Sequence, residues 1–245
     1  MSMRKAALRA AHAALAALLA LSSAGDLAAA AKPKAKKKAP PKAATRDYAR
    51  AIAVLHTERG DVTIRFFFDR APNHVRNFVD LASAGFFDGT LFHRVIPGFV
   101  LQGGDPLTKD PKNAFVWGNA GRTDAKGQPV TLKPEFNDTP HKRGVVSMAR
   151  SAAPDSASSQ FFIVLKDYPS LDRQYTAFGE VVKGMDVVDR IVAESNPDAS
   201  NASLGKPRAY QKILKVEILE ESAAPAPAPT PTPAPAPPPA PAKKG

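Results

Sequence analysis

The segment from Ala51 to Phe68, AIAVLHTERGDVTIRFFF, constrains the fold of this 245-residue chain more than any other segment. In a β-strand, successive side chains point to opposite faces, so an apolar residue at every second position indicates a strand with a buried face. Two such runs flank the polar stretch Glu58-Arg59-Gly60-Asp61, which is typical of a tight turn. The segment therefore predicts a β-hairpin. The alternating apolar residues are Ile52 and Val54 before the turn and Val62, Ile64, Phe66 and Phe68 after it.

Two amphipathic helices and several short strands follow. The first helix lies in DRAPNHVRNFVDLASAG, where Pro72 suits the first helical turn and Gly85 a C-terminal stop. The second lies in GMDVVDRIVAES, with Val187, Val188 and Ile191 on its buried face. GVVSMAR, SQFFIVLKD, YTAFGEVVKG and KILKVEILE indicate strands, and residues 106–144 are predicted to be mostly loop. Many short strands with two helices predict an all-β-dominated fold, a closed antiparallel barrel whose ends the helices cover.

The first thirty residues have the composition of a targeting segment. Residues 1–30 contain basic residues, an apolar run from Ala10 to Leu21 and the small residues Ala28-Ala29-Ala30, as in a secretory signal peptide. An alanine-rich amphipathic helix is the alternative. The run is shorter than the roughly 20 apolar residues that span a bilayer, so we expect no transmembrane segment in the mature chain. We predict an exported protein, with the periplasm as the destination and secretion to the medium as the alternative.

Two low-complexity segments flank the central domain. Residues 31–49 are a linker rich in Lys, Pro and Ala, and residues 223–245 are an Ala-Pro tail with ten prolines. Neither segment has apolar periodicity, so both are predicted to be disordered, and the tail favours an extended polyproline II conformation. The folded domain is accordingly assigned to residues 50–222, which are enough for one hydrophobic core.

The net charge of +11 belongs almost entirely to the extensions. Residues 50–221 contain 22 Lys+Arg and 21 Asp+Glu, which gives +1, and the other 12 basic and 2 acidic residues lie outside this range. A nearly neutral domain lacks the basic face of a nucleic-acid-binding protein, so no specific nucleic-acid partner is expected. The basic linker is expected to contact anionic envelope surfaces weakly, through charge alone.

One arginine stands in an otherwise apolar run, FHRVIPGFVLQGGD. A guanidinium among apolar residues is costly without a partner, so Arg94 is a candidate functional residue, and a salt bridge at the rim of the fold is the alternative. No G-x-S-x-G motif is present, nothing in the sequence indicates a Ser-His-Asp arrangement, and the five histidines lack metal-ligand spacing. The absence of cysteine excludes disulfides and thiolate metal sites. We therefore expect no metal, no other cofactor and no covalent nucleophile.

Rotation about an X-Pro peptide bond is a reaction that needs none of these. Its barrier of about 20 kcal/mol comes from the partial double bond between carbon and nitrogen. Twisting that bond returns a lone pair to the proline nitrogen. A catalyst therefore needs an apolar pocket for the proline ring and a hydrogen-bond donor that points at the proline nitrogen. A rigid, permanently charged guanidinium suits this task, because its hydrogen bond is stronger in the twisted state than in the planar one.

FHRVIPGFVLQGGD closely resembles the signature of the cyclophilin-type peptidyl-prolyl cis-trans isomerases. GVVSMAR, SQFFIVL and LDRQYTAFGEVVKGMDVV resemble further blocks of this family in the same order, and the resemblance extends from about Ala51 to Glu221. It implies a closed eight-stranded antiparallel β-barrel capped by two α-helices. It also implies an isomerase that assists protein folding and acts on proline-containing polypeptides. Nothing in the sequence calls for an oligomer, so a monomer is expected.

The resemblance also assigns site residues by position. Arg94 corresponds to the catalytic arginine, and Gln102 corresponds to the amide that holds it. Arg150 replaces a commoner Asn in the block whose backbone pairs with the peptide before proline. The expected substrate-binding residues are Phe99, Val100, Met148, Ala149, Arg150, Gln160, Phe162, Leu171 and Tyr175.

Some positions depart from the commoner family pattern. Ser170 stands where many members have a Trp that helps to bind cyclosporin, so weak sensitivity to this drug is expected. Tyr175 replaces a pocket histidine and keeps an aromatic wall, whereas Trp117 has no family role.

The alternatives to an isomerase are a holdase that binds proline segments without turnover and a surface-attached scaffold. The Ala-Pro tail is interpreted as a spacer and as a tethered weak substrate.

Overall fold

The computed structural model describes residues 46–195, 205–207 and 209–220. The predicted signal peptide, residues 31–45 of the predicted linker and the predicted tail lie outside these residues. Within them, the chain forms nine β-strands in one antiparallel sheet, together with two α-helices. In this part of the chain no helix is both long and apolar enough to cross a bilayer.

The strands close into an almost complete barrel. Their bounds are β1 Ala51–Thr57, β2 Gly60–Phe66, β3 Leu91–Phe92, β4 Arg94–Ile96, β5 Val100–Gly103, β6 Val145–Met148, β7 Phe161–Val164, β8 Ala177–Lys183 and β9 Gln211–Glu220. Their spatial order is β3-β9-β1-β2-β8-β6-β7-β5-β4. The two end strands are separated in the chain only by His93, and β3 pairs with β9 while β4 pairs with β5. The expected eight strands become nine because the segment 91–96 is interrupted at this histidine.

The predicted hairpin is confirmed as β1 and β2, which pair antiparallel across a two-residue turn before Gly60. Gly60 has a φ of +124°, a conformation that favours glycine. Ala53 and Leu55, rather than Ile52 and Val54, are the fully buried side chains of β1. Apolar residues occupy both faces of this strand, so alternation alone did not distinguish its inner face.

Both predicted helices are confirmed, as α1 (Pro72–Ser83) and α2 (Met185–Ser195). Gly85 follows α1 with a φ of +70°, and its N–H donates to the carbonyl of Ala82 at 2.9 Å. Each helix packs an apolar stripe against the barrel. The buried apolar side chains are Val75, Phe78, Val79 and Ala82 on α1 and Val187, Val188 and Ile191 on α2.

The long segment between β5 and β6 caps α1. Ala71 provides no side-chain cap, and the carboxylate of Glu135 instead accepts the backbone N–H groups of Asn73 (3.1 Å) and His74 (3.0 Å). It also bonds Nδ1 of the fully buried His74 at 2.6 Å. Burial lowers the pKa of His74. Burial raises the pKa of Glu135, but the hydrogen bonds from His74 and Asn73 outweigh it and hold this pKa below its usual value. A neutral imidazole therefore donates to an ionised carboxylate.

The alternation of the strands divides the apolar residues between two clusters. Phe161 and Ile163 of β7 join the main core, whereas Phe162 and Val164 point to the other face of the sheet. There a smaller outer cluster forms, and Phe99, Ala149 and Tyr175 pack on it. Its buried members are Val100, Val145, Phe162, Val164, Leu171 and Ala177. This outer cluster is the floor of the candidate site.

Residues 46–49 belong to the folded domain, although the sequence assigned them to the linker. The hydroxyl of Tyr48 donates to Asp80 at 2.9 Å, and its ring stacks on Phe68 with centroids 6.3 Å apart. The guanidinium of Arg76 lies 4.9 Å from the centroid of the Phe68 ring. These contacts attach residues 46–49 to the folded domain.

Candidate active site

A first cavity, of about 320 Å³, opens above the outer cluster. All of its lining residues are among the site residues expected from the sequence. Met148 and Gln160 are the predicted residues that do not line it. The lining consists of Arg94, Phe99, Val100, Gln102, Ala149, Arg150, Phe162, Leu171 and Tyr175.

The register of the strands places three side chains of this cavity in one row with the buried Ser147. Arg94 on β4 is opposite Gln102 on β5, and Gln102 is opposite Phe162 on β7. Phe162 is in turn opposite Ser147 on β6. Directly opposed residues share a face of the sheet, with Cβ atoms about 5 Å apart. A cation, an amide, an aromatic ring and a hydroxyl are thus brought side by side by backbone pairing alone.

Arg94 is held at the rim of the first cavity. Its Nη1 donates to Oε1 of Gln102 at 3.4 Å, and its guanidinium lies 5.8 Å from the centroid of the Phe99 ring. Burial lowers the pKa of Arg94, and the nearby Tyr175 opposes this shift. Arginine nevertheless stays charged in proteins. Within the described part of the chain no carboxylate forms a salt bridge with this half-buried cation, so the alternative of a rim salt bridge is not what the structure shows.

A chain of amides fixes the orientation of Gln102. Its Nε2 donates to Oε1 of Gln160 at 2.9 Å, which leaves its own Oε1 free to accept from Arg94. Nε2 of Gln160 donates to the carbonyl groups of Gly118 (2.9 Å) and Ala120 (2.7 Å). Both amides therefore have their donor and acceptor ends assigned by their partners. Gln160 acts on the site through Gln102 rather than as part of the first cavity.

Aromatic and aliphatic side chains form the walls of the first cavity. The rings of Phe162 and Tyr175 meet edge to face, with centroids 5.6 Å apart. Leu171 is buried at the end of a short 3-10 turn, and Ser170, in the same turn, is exposed. Phe99 lies on the Arg94 side. The cavity thus combines an apolar floor with two cations, Arg94 and Arg150, and one amide, Gln102, at its edge.

Arg150 closes the opposite rim through its side chain. Its guanidinium donates to the carbonyl groups of Gln174 (3.0 Å), Ser151 (2.9 Å) and Ala152 (3.2 Å). It also lies over the ring of Tyr175, 4.6 Å from the centroid. A shorter Asn side chain does not have this reach. Arg150 therefore connects the loop that follows it with the loop that contains Gln174, and it packs on the Tyr175 wall of the cavity.

The structure places the side chain of Met148 outside the first cavity. Its side chain is only 2% exposed and belongs to the main core, because it points to the inner face of β6. Its N–H donates to the carbonyl of Thr176 at 3.0 Å, and the N–H of Ala149 donates to the carbonyl of Gln160 at 2.9 Å. Neither N–H is therefore free for a peptide, and Ala149 contributes only its position in the lining.

A hydrogen-bonded Ser-His-Asp chain lies behind the Phe162 wall of the first cavity, although nothing in the sequence indicated it. Nε2 of His141 bonds Oγ of Ser147 at 3.0 Å, and Nδ1 bonds Oδ1 of Asp172 at 3.0 Å. Ser147 is 0% exposed, so its hydroxyl cannot reach a substrate as a nucleophile. The imidazole stacks on Phe162, with centroids 6.3 Å apart, and burial lowers its pKa. This chain supports the Phe162 wall from behind.

A second cavity, also of about 320 Å³, adjoins the first and shares Gln102, Ala149 and Arg150 with it. Sequence reasoning missed the loop 118–121, which forms much of its wall. The glycines of this loop are a signal that could have shown it, since a Cβ on Gly121 would lie 2.6 Å from Cβ of Ser158. Its remaining lining residues are Ser151, Ser156, Ser158 and Gln160. Within the described residues no group of three or more His, Asp or Glu side chains could hold a metal ion.

Comparisons with known proteins agree with this geometry. The family described as "Cyclophilin type peptidyl-prolyl cis-trans isomerase/CLD" matches residues 52–218. A probable peptidyl-prolyl cis-trans isomerase of Brucella abortus (strain 2308) is 41% identical over 165 residues, which cover 67% of this chain and 81% of the relative. Peptidyl-prolyl cis-trans isomerase B of Escherichia coli (strain K12) is 35% identical over 182 residues, which cover 70% of this chain and 97% of the relative.

A solved structure gives the same result for the fold. It is the crystal structure of a Cryptosporidium parvum cyclophilin type peptidyl-prolyl cis-trans isomerase in the presence of the dipeptide Ala-Pro. The match has a TM-score of 0.59 and 27% sequence identity, and it covers 69% of this chain and 99% of that chain. The strand order, the rim arginine and these relatives agree, and the chain belongs to the cyclophilin-type peptidyl-prolyl cis-trans isomerase family.

Proposed function

We propose that this chain accelerates the cis-trans isomerisation of X-Pro peptide bonds with Arg94 as the donor to the proline nitrogen. The proline ring packs on Phe99, Phe162 and Leu171 in the first cavity. As the carbon–nitrogen bond twists, the nitrogen regains its lone pair and becomes a better acceptor. The hydrogen bond from Arg94 is then stronger than in either planar isomer, which lowers the barrier. No covalent bond forms or breaks.

One observation carries this proposal, and it is the environment of Arg94. A half-buried guanidinium with no carboxylate partner among the described residues stands between an amide and an aromatic ring, at the edge of an apolar cavity. A structural arginine in such a place is expected to pair with a carboxylate, because an unpaired charge out of water is costly. A binding and catalytic role accounts for the donors that remain unused. Gln102 contributes by holding the guanidinium in position.

The test measures the rate at which a short X-Pro peptide converts between cis and trans in the presence of the purified domain. Exchange NMR monitors this conversion. Loss of a single preorganised donor typically costs about a hundredfold or more in rate, so Arg94→Ala is expected to lose that much of kcat/KM. Arg94→Lys keeps the charge but not the planar fork, and an intermediate loss is expected. Arg190→Gln, on the exposed face of α2, is the matched control and is expected to retain wild-type activity.

Two outcomes contradict the mechanism. The first is no acceleration by the wild-type domain, and the second is full activity in Arg94→Ala. Aggregation assays with an unfolded client separate the alternative of a holdase. Equal suppression of aggregation by wild type and Arg94→Ala would mean that binding, not turnover, protects the client.

We also propose that the protein is exported, to the periplasm, and assists the folding of exported polypeptides as a monomer. The support is the signal-peptide pattern of residues 1–30, and the basic linker is proposed to contact anionic envelope surfaces weakly. Cell fractionation and N-terminal sequencing of the mature protein test the location. A cytoplasmic protein that retains its first residues would contradict export. Sedimentation at increasing protein concentration tests the monomer.

A further inference from the structure

A third cavity, of about 140 Å³, lies on the side of Arg94 away from the apolar walls of the first cavity. Arg94 and Gln102 line both cavities, so these two side chains form the partition between them. The other side chains that matter here are His93, Trp117, Lys206 and Tyr210. They come from three separate parts of the chain, and the proposed isomerase site uses none of them.

His93 is the first sign that this cavity accepts a ligand. The side chain is 7% exposed, lines the cavity, and has no hydrogen bond on either ring nitrogen to any residue in the described part of the chain. Leu91 and Gln160 lie close enough to influence its pKa but do not meet the geometry of a hydrogen bond. Burial lowers the pKa of His93, so the ring is neutral near neutral pH and carries one N–H donor. Buried polar atoms in proteins are normally paired, so this donor indicates a missing partner.

The other polar groups of the third cavity are donors as well. Arg94 and Lys206 are cations, and burial raises the pKa of Tyr210, which keeps its phenol protonated. The ring of Tyr210 is positioned by the edge of Trp117, with centroids 4.9 Å apart. No carboxylate occurs among the described lining residues.

The carboxylate of Asp105, whose charge influences the pKa of His93, is already engaged. Asp105 is fully buried, and it accepts the N–H groups of Leu107 (2.8 Å), Gly118 (2.5 Å) and Ala120 (3.4 Å). It is thus committed to holding the loop that forms the cavity wall. The donors of the third cavity are therefore not neutralised from within the described part of the protein.

We propose that the third cavity is a subsite for a carboxylate, the side chain of an Asp or Glu close to the proline of a client polypeptide. This inference rests on the proposed function, because the client is placed by the first cavity. The carboxylate accepts hydrogen bonds from His93, Lys206 and Tyr210, and ion pairing with Lys206 adds to them. The volume of about 140 Å³ suits one short side chain.

The geometry limits where in the client this acid lies. A single partition separates the third cavity from the first, and an extended chain advances about 3.3 Å per residue. The acidic residue is therefore within two positions of the proline. Because the carboxylate does not change during the twist, it is bound equally in the planar and twisted states. Such uniform binding lowers KM and leaves kcat unchanged.

The experiment compares matched peptides that carry either Asp or Asn at one position within two residues of the proline. At low salt, at least one Asp peptide is expected to have kcat/KM about threefold to tenfold above its Asn partner, through KM alone. Raising the salt concentration is expected to reduce this ratio, because Lys206 is exposed and its charge is screened. Lys206→Gln and Tyr210→Phe are each expected to bring the ratio closer to one. Lys183→Gln, at the exposed end of β8, is the control and is expected to leave the ratio unchanged.

Failure of this inference and failure of the proposed function are distinguishable. If the Asn peptides are accelerated but no Asp peptide is preferred, the subsite does not exist and the isomerase remains. If no peptide is accelerated, the proposed function fails first. NMR of the His93 ring nitrogens provides a second readout, without turnover. The Asp peptide, but not its Asn partner, is expected to shift these resonances, and equal shifts with both would overturn the proposal.

Discussion

Glu135 is expected to stabilise the domain strongly, although it does not line any of the three cavities. In Glu135→Ala, the first turn of α1 loses the acceptor for the N–H groups of Asn73 and His74, a loss typical of a removed cap and worth about 1 kcal/mol. The fully buried His74 also loses the partner of Nδ1, which adds about 1–3 kcal/mol. Nε2 of His74 is already without a partner among the described residues, so a change of tautomer cannot compensate. The sum is about 3 kcal/mol.

The same pair of residues makes the stability depend on pH. The pKa of His74 is lowered from 6.5 in the folded protein, so the unfolded chain binds more protons below about pH 6.5 and stability falls with acidification. The pKa of Glu135 is lowered from 4.5, so its contribution is present above that pH and is lost as the pH falls through the folded value. Both signs agree. The wild-type domain is expected to lose stability from about pH 6.5 downwards, and Glu135→Ala is expected to lack the part of this loss that begins below about pH 4.5.

The assay is chemical denaturation, with the free energy of unfolding extrapolated to water at several pH values. Glu135→Gln keeps one acceptor oxygen and is expected to lose about half as much stability as Glu135→Ala. Glu220→Ala, at the exposed end of β9, is the matched control. A loss below about 1 kcal/mol in Glu135→Ala, or a loss equal to that of the control, would refute the assignment of Glu135 as the cap of α1.

Three further predictions concern the site and its borders. Gln102→Leu is expected to reduce kcat/KM about tenfold in the peptide assay, because Arg94 loses the acceptor that holds it, and unchanged activity would contradict this role. Ser170→Trp is expected to raise the affinity for cyclosporin in calorimetry, and an unchanged affinity would mean that another residue sets the sensitivity. Tyr48→Ala is expected to lower the free energy of unfolding by about 1–2 kcal/mol in denaturation, whereas no loss would return residues 46–49 to the linker.

The parts of the fold that could be predicted are those whose cause is local. The hairpin and α1 follow from apolar spacing over fewer than twenty residues, and Pro72 is where the helix begins. The inner face of β1 was not predictable, because Ile52 and Val54 are as apolar as the residues that point inward. The interruption at His93 was not predictable either, since it depends on how the sheet closes on itself.

The candidate site divides in the same way. Arg94, Gln102 and Phe162 could be assigned because family motifs contain them, and strand pairing brings them together. The side chain of Met148 packs in the main core, because one position along a strand reverses the face to which a side chain points. The contact between Ser147 and His141, and the third cavity, depend on side chains of separate segments that meet only after packing. The spacing of residues along the sequence does not predict such contacts.

The location of the site on the outer face of the barrel wall has a consequence for how such a protein can change. Consecutive residues of β7 have separate structural tasks, because Phe161 and Ile163 fill the interior while Phe162 lines the first cavity. Substitutions at the outward positions can alter which polypeptides are handled without repacking the interior. Substitutions at the inward positions affect folding and leave recognition largely untouched. Substitution of the outward residues can therefore change which polypeptides the barrel binds, while the inward residues that alternate with them keep the fold.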